Sequence, residues 1–293
     1  MLTNQFKINY SVGSIANGVK TDTFTFFLLF FYSNIIGLNP GLAGTAIFIA
    51  LCVDAFTDPL MGTISDRTNT SFGRRHPYMF ISFIPMSLGY IFLFAPRQDW
   101  DMSQSDLFVW MTIFTILTRI GMTLFDIPHR AFGGEITKNY NERTLLMSWR
   151  EMFAWVAGLS NAFLGYGVFF ASTPEFPQGQ LNPDAWFPFA LTGALIMIIS
   201  VLYSSITTKD EINSLSKWSG SIALGAILNE LKIALGNKSF LIFFFGNLFL
   251  SLAWGLANTL TLFVNTYFWE FEATQIKYFL PIYLFATLFA FYL

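Results

Sequence analysis

The sequence predicts an all-α membrane protein, and three observations carry that prediction. Of 293 residues 54% are hydrophobic and only 12% charged, against roughly 25% charged in an ordinary soluble domain. Apolar runs of about 20 residues, the length needed to cross a bilayer core as a helix, recur along the whole chain. Between those runs, Lys and Arg collect in every second loop. A net charge of -2 gives no case for a nucleic-acid partner, so the bases are read by position.

The apolar runs place seven spans and the start of an eighth near 11-36, 42-65, 77-96, 105-131, 145-172, 185-207, 239-268 and 275-293. Lys7 is followed by no short apolar segment with a small-residue cleavage site, so the first span is expected to stay in the mature chain. The last run stops at Leu293 without a polar flank, and the chain is read as a piece of a longer protein. Cys52 lies in an apolar run and is expected to serve packing. With one cysteine, neither a disulfide nor a thiol metal site can form within the chain.

Orientation follows from the loops. Arg67, Arg74, Arg75 and His76 stand between spans 2 and 3, Lys138 and Arg143 between 4 and 5, and Lys209, Lys217, Lys232 and Lys238 between 6 and 7. The alternate loops carry Asp99, Asp101, Glu175 and Asp184, with Arg97 as their one base. Basic excess marks the cytoplasmic side, so a multi-pass protein of the cell membrane, inner or plasma, with its N-terminus inside is expected. Residues 1-207 form a six-helix bundle in this reading, 208-238 a cytoplasmic linker, and 239-293 the start of a second bundle. Within the linker, "SIALGAILNELKIALG" puts Leu224, Ile227, Leu228, Leu231 and Leu235 on one helical face. That pattern suits a helix lying on the inner leaflet, or equally one packed on the protein's own underside.

Charges inside the spans carry the chemistry, because a charge at mid-bilayer costs about 2.5-3.5 kcal/mol and usually faces an interior cavity. Span 2 reads "VDAFTDPLMG", with Asp54 and Asp58 at i and i+4 on one face. Two carboxylates that close need a proton or a cation between them. Pro59 leaves the Ala55 carbonyl without its helical donor, and Pro128 does the same for Leu124 in span 4, beside Asp126. Hard oxygens of this kind suit Na+, Li+ or H+. Alternatively, Asp54 or Asp58 pairs with a base of another span and staples the bundle.

Span 4 also holds Arg119, His129 and Arg130, span 1 holds Lys20 and Asp22, and span 5 holds Arg150 and Glu151. Arg119 is assigned to a different face from Asp126, with a structural ion pair to Asp22 and a substrate role both open. In "SDRTNTSFGRRHP", Asp66, Arg67, Gly73, Arg74 and Arg75 form a loop in which an Arg can pair with Asp66 and with the helix C-terminus, latching one conformation. Simple topological anchoring by the same bases is compatible with that role.

The segment "GLNPGLAGTAIFIALCVDAFTDPLMGTISDRTNTSFGRRHP" and the segment "GMTLFDIPHRAFGGEITKNYNERTLLMSWREMFAWVAG" together resemble the glycoside-pentoside-hexuronide:cation symporters. These form the melibiose-permease branch of the major facilitator superfamily. The likeness runs from about residue 10 to 210. It implies twelve helices in two halves with sugar and cation between them, the first half complete here and the second cut after two helices.

By that resemblance Asp54, Asp58 and Asp126 match cation-site carboxylates, and Thr123 a hydroxyl of the same site. Thr57 stands where the pattern has Asn, which leaves the choice among Na+, Li+ and H+ open. Arg150 matches an arginine that contacts sugar, and Asp126 is placed to serve both ligands. The sequence departs from the pattern in span 1, where Gly18 takes the place of a sugar-binding aspartate and Asn17 that of a lysine. Asp22, one turn from Gly18, is a candidate replacement acid. Arg130 stands where a sugar-stacking tryptophan is expected; it suits an anionic substrate such as a hexuronide, or a gate ion pair with Glu135 or Glu142.

These readings lead to a cation-coupled symporter of a sugar, glycoside or sugar acid, monomeric, with no cofactor besides its coupling ion. A related carrier of a lysolipid, steroid or other small organic molecule is the second reading. A non-transporting scaffold or intramembrane enzyme is the third. An enzyme is disfavoured because His76 and His129 lack partners at ligand or triad spacing.

Overall fold

The structure is a computed structural model that describes residues 2–209, 233 and 235–292. The described residues are helices and connecting turns, without strands. Most of the amphipathic segment expected in the 208-238 linker falls outside the described residues.

The first span begins earlier than the sequence suggests. Thr3 caps α1 (Asn4–Val12) by accepting from the Phe6 amide, and α2 (Ser14–Asp22) continues it with Gly13 between them. The Phe-rich stretch then widens into π-helical turns at Thr23–Leu28 and Phe31–Ile36, and Gly37 ends it at φ +85°. A positive φ is free of cost only for glycine.

Asn39 accepts from the Gly41 amide at 2.8 Å and Pro40 sits in the first turn, so α3 (Pro40–Arg67) starts at once. Span 3 is α4 (His76–Ile81) and α5 (Phe83–Leu93). A Ser103–Asp106 capping box opens α6 (Gln104–Glu135), and Asn139 caps α7 (Tyr140–Leu164). Next come α8 (Trp186–Thr207), α9 (Lys238–Phe263), α10 (Ala273–Ile276) and α11 (Leu280–Tyr292).

Among the described residues six helical stretches are long and apolar enough to span a bilayer: Pro40–Arg67, His76–Leu93, Gln104–Glu135, Tyr140–Phe169, Pro183–Thr207 and Lys238–Phe268. The expected first span is helical but broken by the π turns, and the expected eighth is split, with α11 only 13 residues long. Exposed Phe, Leu and Trp side chains cover the outside of these helices, the surface a lipid phase solvates. Cys52 belongs to that exposed surface, contrary to the packing role expected of it. It lies off the face of the buried Ala50, which a run of apolar residues without a clear period does not reveal.

Inside, α2 packs against α7 and α8, and α6 against α3 and α5. Gly18 makes the α2–α7 approach possible: a Cβ there would lie 1.9 Å from the Ala154 carbonyl oxygen. Aromatic rings around Trp186, Phe27, Phe31 and Phe170 fill one end of the bundle.

Helices α3 and α6 run parallel with a constant offset of 65 positions. Asp54 meets Arg119, Asp58 meets Thr123, and Gly62 faces Ile127. The basic loop and the start of α7 gather at one end of the bundle, where Glu142 accepts from the Leu2 amide and His76 meets Thr208. At the other end Gln104 bridges the Gly37 carbonyl and the Asn39 amide.

Candidate cation and substrate site

The acids of α3 and α6 do not share one partner. Thr123 donates its hydroxyl to Asp58 Oδ1 at 2.7 Å. Asp54 Oδ2 accepts from Arg119 Nη1. Asp126 accepts from Arg150 through Oδ1 and pairs with Arg130 Nε at 2.7 Å through Oδ2. Thr57 turns its hydroxyl back to the Asp54 carbonyl at 3.5 Å. Among the described residues no group of three or more His, Cys, Asp or Glu is arranged to hold a metal ion. The structure thus joins Asp58 with Thr123, pairs Asp54 with one guanidinium, and places Asp126 between two.

Two pairings correct the sequence reading. Arg119 binds Asp54, and not Asp22, which the sequence reading names as one candidate partner beside a substrate role. It also lies on the same face as Asp126, since seven residues are close to two full turns. Arg130 binds Asp126 one turn earlier on its own helix, in place of Glu135 or Glu142. The i,i+4 geometry brings the two side chains together without any loop movement.

Arg150 is 2% exposed and holds Asp126 with one amino group and Glu151 with the other, at 2.6 Å. Asp22 stays apart from this network. It is buried in the α2–α7 contact, where a Cβ on Gly158 would come within 2.2 Å of its Oδ2, and that oxygen has no hydrogen-bond partner. Gly18 is likewise covered by Ala154. Of the expected sugar-binding set, Asp126, Arg130 and Arg150 are joined, whereas Gly18 and Asp22 lie in the helix–helix contact.

Lys20 and Arg119 both lie over the Phe24 ring, their charged groups 5.8 and 5.6 Å from its centroid. Sequence reasoning missed this shared ring; it held open a pairing of Asp54 with a base of another span but did not name Arg119 as that base. The signal was available: positions 119, 123, 126 and 130 follow the helical repeat and make one polar stripe on span 4.

At the basic end, Arg75 pairs with Asp66 at 2.9 Å and with Glu135 at 2.5 Å, and Arg74 meets the second oxygen of Glu135 at 2.5 Å. The Arg–Asp66 pairing read from the loop is present. Glu135 as the common acceptor is not visible in the sequence, because it reaches the loop from the far end of α6. Burial pushes the Arg75 guanidinium below its ordinary pKa, while Glu135 and Asp66 pull it back up. Gly73 takes φ +76° to turn the loop. His129 is a packing residue, its ring stacked on Tyr10 and Phe125 with Nε2 against the Tyr10 carbonyl at 3.0 Å.

A cavity of about 1220 Å³ lies between α7 and the segments from α9 to α11, with Ser148, Glu151, Trp155, Asn258 and Tyr283 among its walls. Glu151 is its link to the charged network; Asp54, Asp58 and Asp126 do not line it.

The family model for MFS/sugar transport proteins matches residues 9–293. The chain belongs to that family. An uncharacterized symporter of Synechocystis sp. is 30% identical over 211 residues, 70% of this chain and 37% of that protein. The inner membrane symporter YicJ of Escherichia coli is 30% identical over 165 residues, 56% of this chain and 35% of that protein. The putative glycoside/cation symporter YagG of Escherichia coli is 29% identical over 238 residues, 81% of this chain and 49% of that protein.

The chain thus spans half or less of the length of these MFS/sugar transport relatives. Their names fit the glycoside-pentoside-hexuronide:cation symporters that the motifs resemble, and they are names of transporters and not of enzymes. Multi-pass membrane residence agrees with the family and with the six apolar helices.

Proposed function

We propose that these residues belong to a secondary transporter that couples the movement of a monovalent cation to that of a sugar, glycoside or sugar acid by alternating access. The observation that carries the reading is Asp58. It is a carboxylate inside a span, held by the Thr123 hydroxyl and lacking an ion-pair partner among the described residues. A carboxylate in such a place needs a proton or a metal cation to offset its desolvation.

Asp126 supports the link to substrate, because it sits within the Arg150 and Arg130 guanidinium groups. A ligand that binds there must rearrange those pairs, and a cation at Asp58 biases the same helix α6 through Thr123. Mutual preference of cation and substrate for one conformation is coupling. Na+, Li+ and H+ are all compatible with one carboxylate and one hydroxyl. The name of the glycoside/cation relative supports the sugar class. Arg74 and Arg75, closed on Asp66 and Glu135, act as the cytoplasmic latch, with the N-terminus on the same side.

The test is ligand-dependent stability of the purified protein, with Na+, Li+ or an acid step as cation and a panel of glycosides and hexuronides as substrates. Stabilisation by one cation, strengthened by one sugar and lost in Asp58→Asn, is the expected result. Cation responses unaltered in Asp58→Asn would refute the site.

A further inference from the structure

Asp54 resembles a coupling-ion ligand by sequence, yet a cation belonging to the chain already occupies it. Arg119 donates to Asp54 Oδ2, and the two side chains are 13% and 22% exposed. The Phe24 ring, 5.6 Å from the guanidinium, holds Arg119 in that position by a cation–π contact. Asp54 Oδ1 and Arg119 Nε are buried without hydrogen-bond partners, so neither group is fully satisfied by the pair. One turn along α3, Asp58 has the Thr123 hydroxyl and, among the described residues, no guanidinium. Lys20 is a further cation nearby, its ammonium over the same Phe24 ring and within electrostatic reach of Asp54, Asp58, Asp126 and Arg119.

We infer that Arg119 is a tethered cation that takes Asp54 out of the coupling-ion site, leaving one mobile ion to bind at Asp58 and lowering the site's affinity for it. The inference rests on the cation-coupling reading above. A guanidinium stays charged at every accessible pH, and its attachment to α6 keeps it at a high local concentration beside Asp54. A mobile cation at Asp54 would have to displace it. At Asp58 the mobile ion meets an Asp54 whose charge Arg119 has neutralised, so it loses an attraction that is large at one-turn separation. Arg119 thereby sets both the number of ions and how readily the bound ion leaves.

The experiment titrates the purified 293-residue chain in detergent with NaCl or LiCl, choline chloride holding ionic strength, and separately with an acid step. Tryptophan fluorescence and thermal melting are the readouts. Removing a full charge within ~4–6 Å changes proton or cation affinity by about ten- to a thousandfold, so Arg119→Gln is expected to tighten the responding cation at least about tenfold. Adding Asp54→Asn to Arg119→Gln is expected to reverse that gain. Both variants are also read in a Lys20→Met background, so that the neighbouring ammonium cannot take over Asp54.

Arg119→Lys keeps the charge, and with it the fold, but loosens the hold on Asp54; a smaller gain in the same direction is expected. An affinity unchanged or weakened in both Arg119 variants overturns the inference, as does a gain that survives Asp54→Asn. Asp58→Asn separates the two levels of argument. A wild-type response that persists in Asp58→Asn overturns the cation-site reading itself, and no response to Na+, Li+ or acid overturns both.

Discussion

Thr123 of α6 donates to Asp58 of α3 at 2.7 Å, one turn further along both helices than the Arg119–Asp54 pair. The two contacts share the 65-position offset, so parallel α3 and α6 present their polar stripes to each other over successive turns. A movement of α6 along its axis would break both contacts together.

Thr123→Val keeps the shape of the side chain and removes the donor. A hydrogen bond to a charged group contributes about 1.5–3 kcal/mol, equivalent to a roughly ten- to hundredfold change in affinity. Because that bond stabilises the charged carboxylate, the expected outcome is tighter proton binding at Asp58 by that factor, read from Trp fluorescence in an acid step, with Thr123→Ser close to wild type. Equal affinities in Val and Ser variants would remove the hydroxyl from the site.

How far the sequence reached is clearest on α3. The i,i+4 spacing of Asp54 and Asp58 is enough to put both on one face, and the helix forms as a single piece through Pro59. What each acid meets was beyond reach, because partner choice depends on the register between helices. Arg119 could have faced Asp54 or Asp58 with a shift of one turn. Span positions were legible from hydropathy, except that span 1 starts earlier, at Asn4, and widens into π turns, for which apolar composition carries no signal, and that the expected eighth span is split. Glu135 as the acceptor of Arg74 and Arg75 was hidden for the same reason as the Arg119 pairing: about sixty residues separate partners that only packing brings together.

Gly18 gives the most severe prediction on packing. Restoring the acid of the family pattern with Gly18→Asp would drive a side chain into the Ala154 carbonyl, since even a Cβ would lie 1.9 Å from that oxygen. Overpacking typically costs about 1–3 kcal/mol, and backbone cannot give way as a flexible side chain can. Gly18→Ala is expected to lower the melting temperature clearly, and Gly18→Asp to prevent folding. A stable Gly18→Asp protein with improved sugar binding would instead place position 18 in an open pocket.

The latch makes an asymmetric prediction. Among the described residues Glu135 accepts from Arg74 and Arg75, whereas Asp66 accepts from Arg75. Arg75 is 3% exposed, so losing Glu135 leaves its charge in a buried place with one partner. Glu135→Gln is therefore expected to destabilise the protein by about 1–3 kcal/mol and Asp66→Asn by less, since charged hydrogen bonds are worth that much each. Thermal melting of the two variants side by side measures the difference. A larger loss in Asp66→Asn would make Asp66 the principal latch.

Asp126 lies between two arginines with opposite exposure, and that contrast separates structure from recognition. Arg150 is 2% exposed and Arg130 is 52% exposed, though both bind the same carboxylate. Breaking a buried pair by removing one partner costs about 3–5 kcal/mol, because the other charge is stranded. An exposed pair is worth roughly 0–1 kcal/mol. Asp126→Asn is thus expected to lower stability chiefly through Arg150, which would keep Glu151 as its one ion-pair partner among the described residues. Arg130→Ala is expected to leave the melting temperature within about a degree or two, as a change below about 1 kcal/mol implies in a protein of this size. If Arg130 serves an anionic sugar, its removal weakens hexuronide binding far more than binding of a neutral glycoside. Comparing the two ligands on the Arg130→Ala protein decides this, and equal losses for both would leave Arg130 as a partner of Asp126 alone.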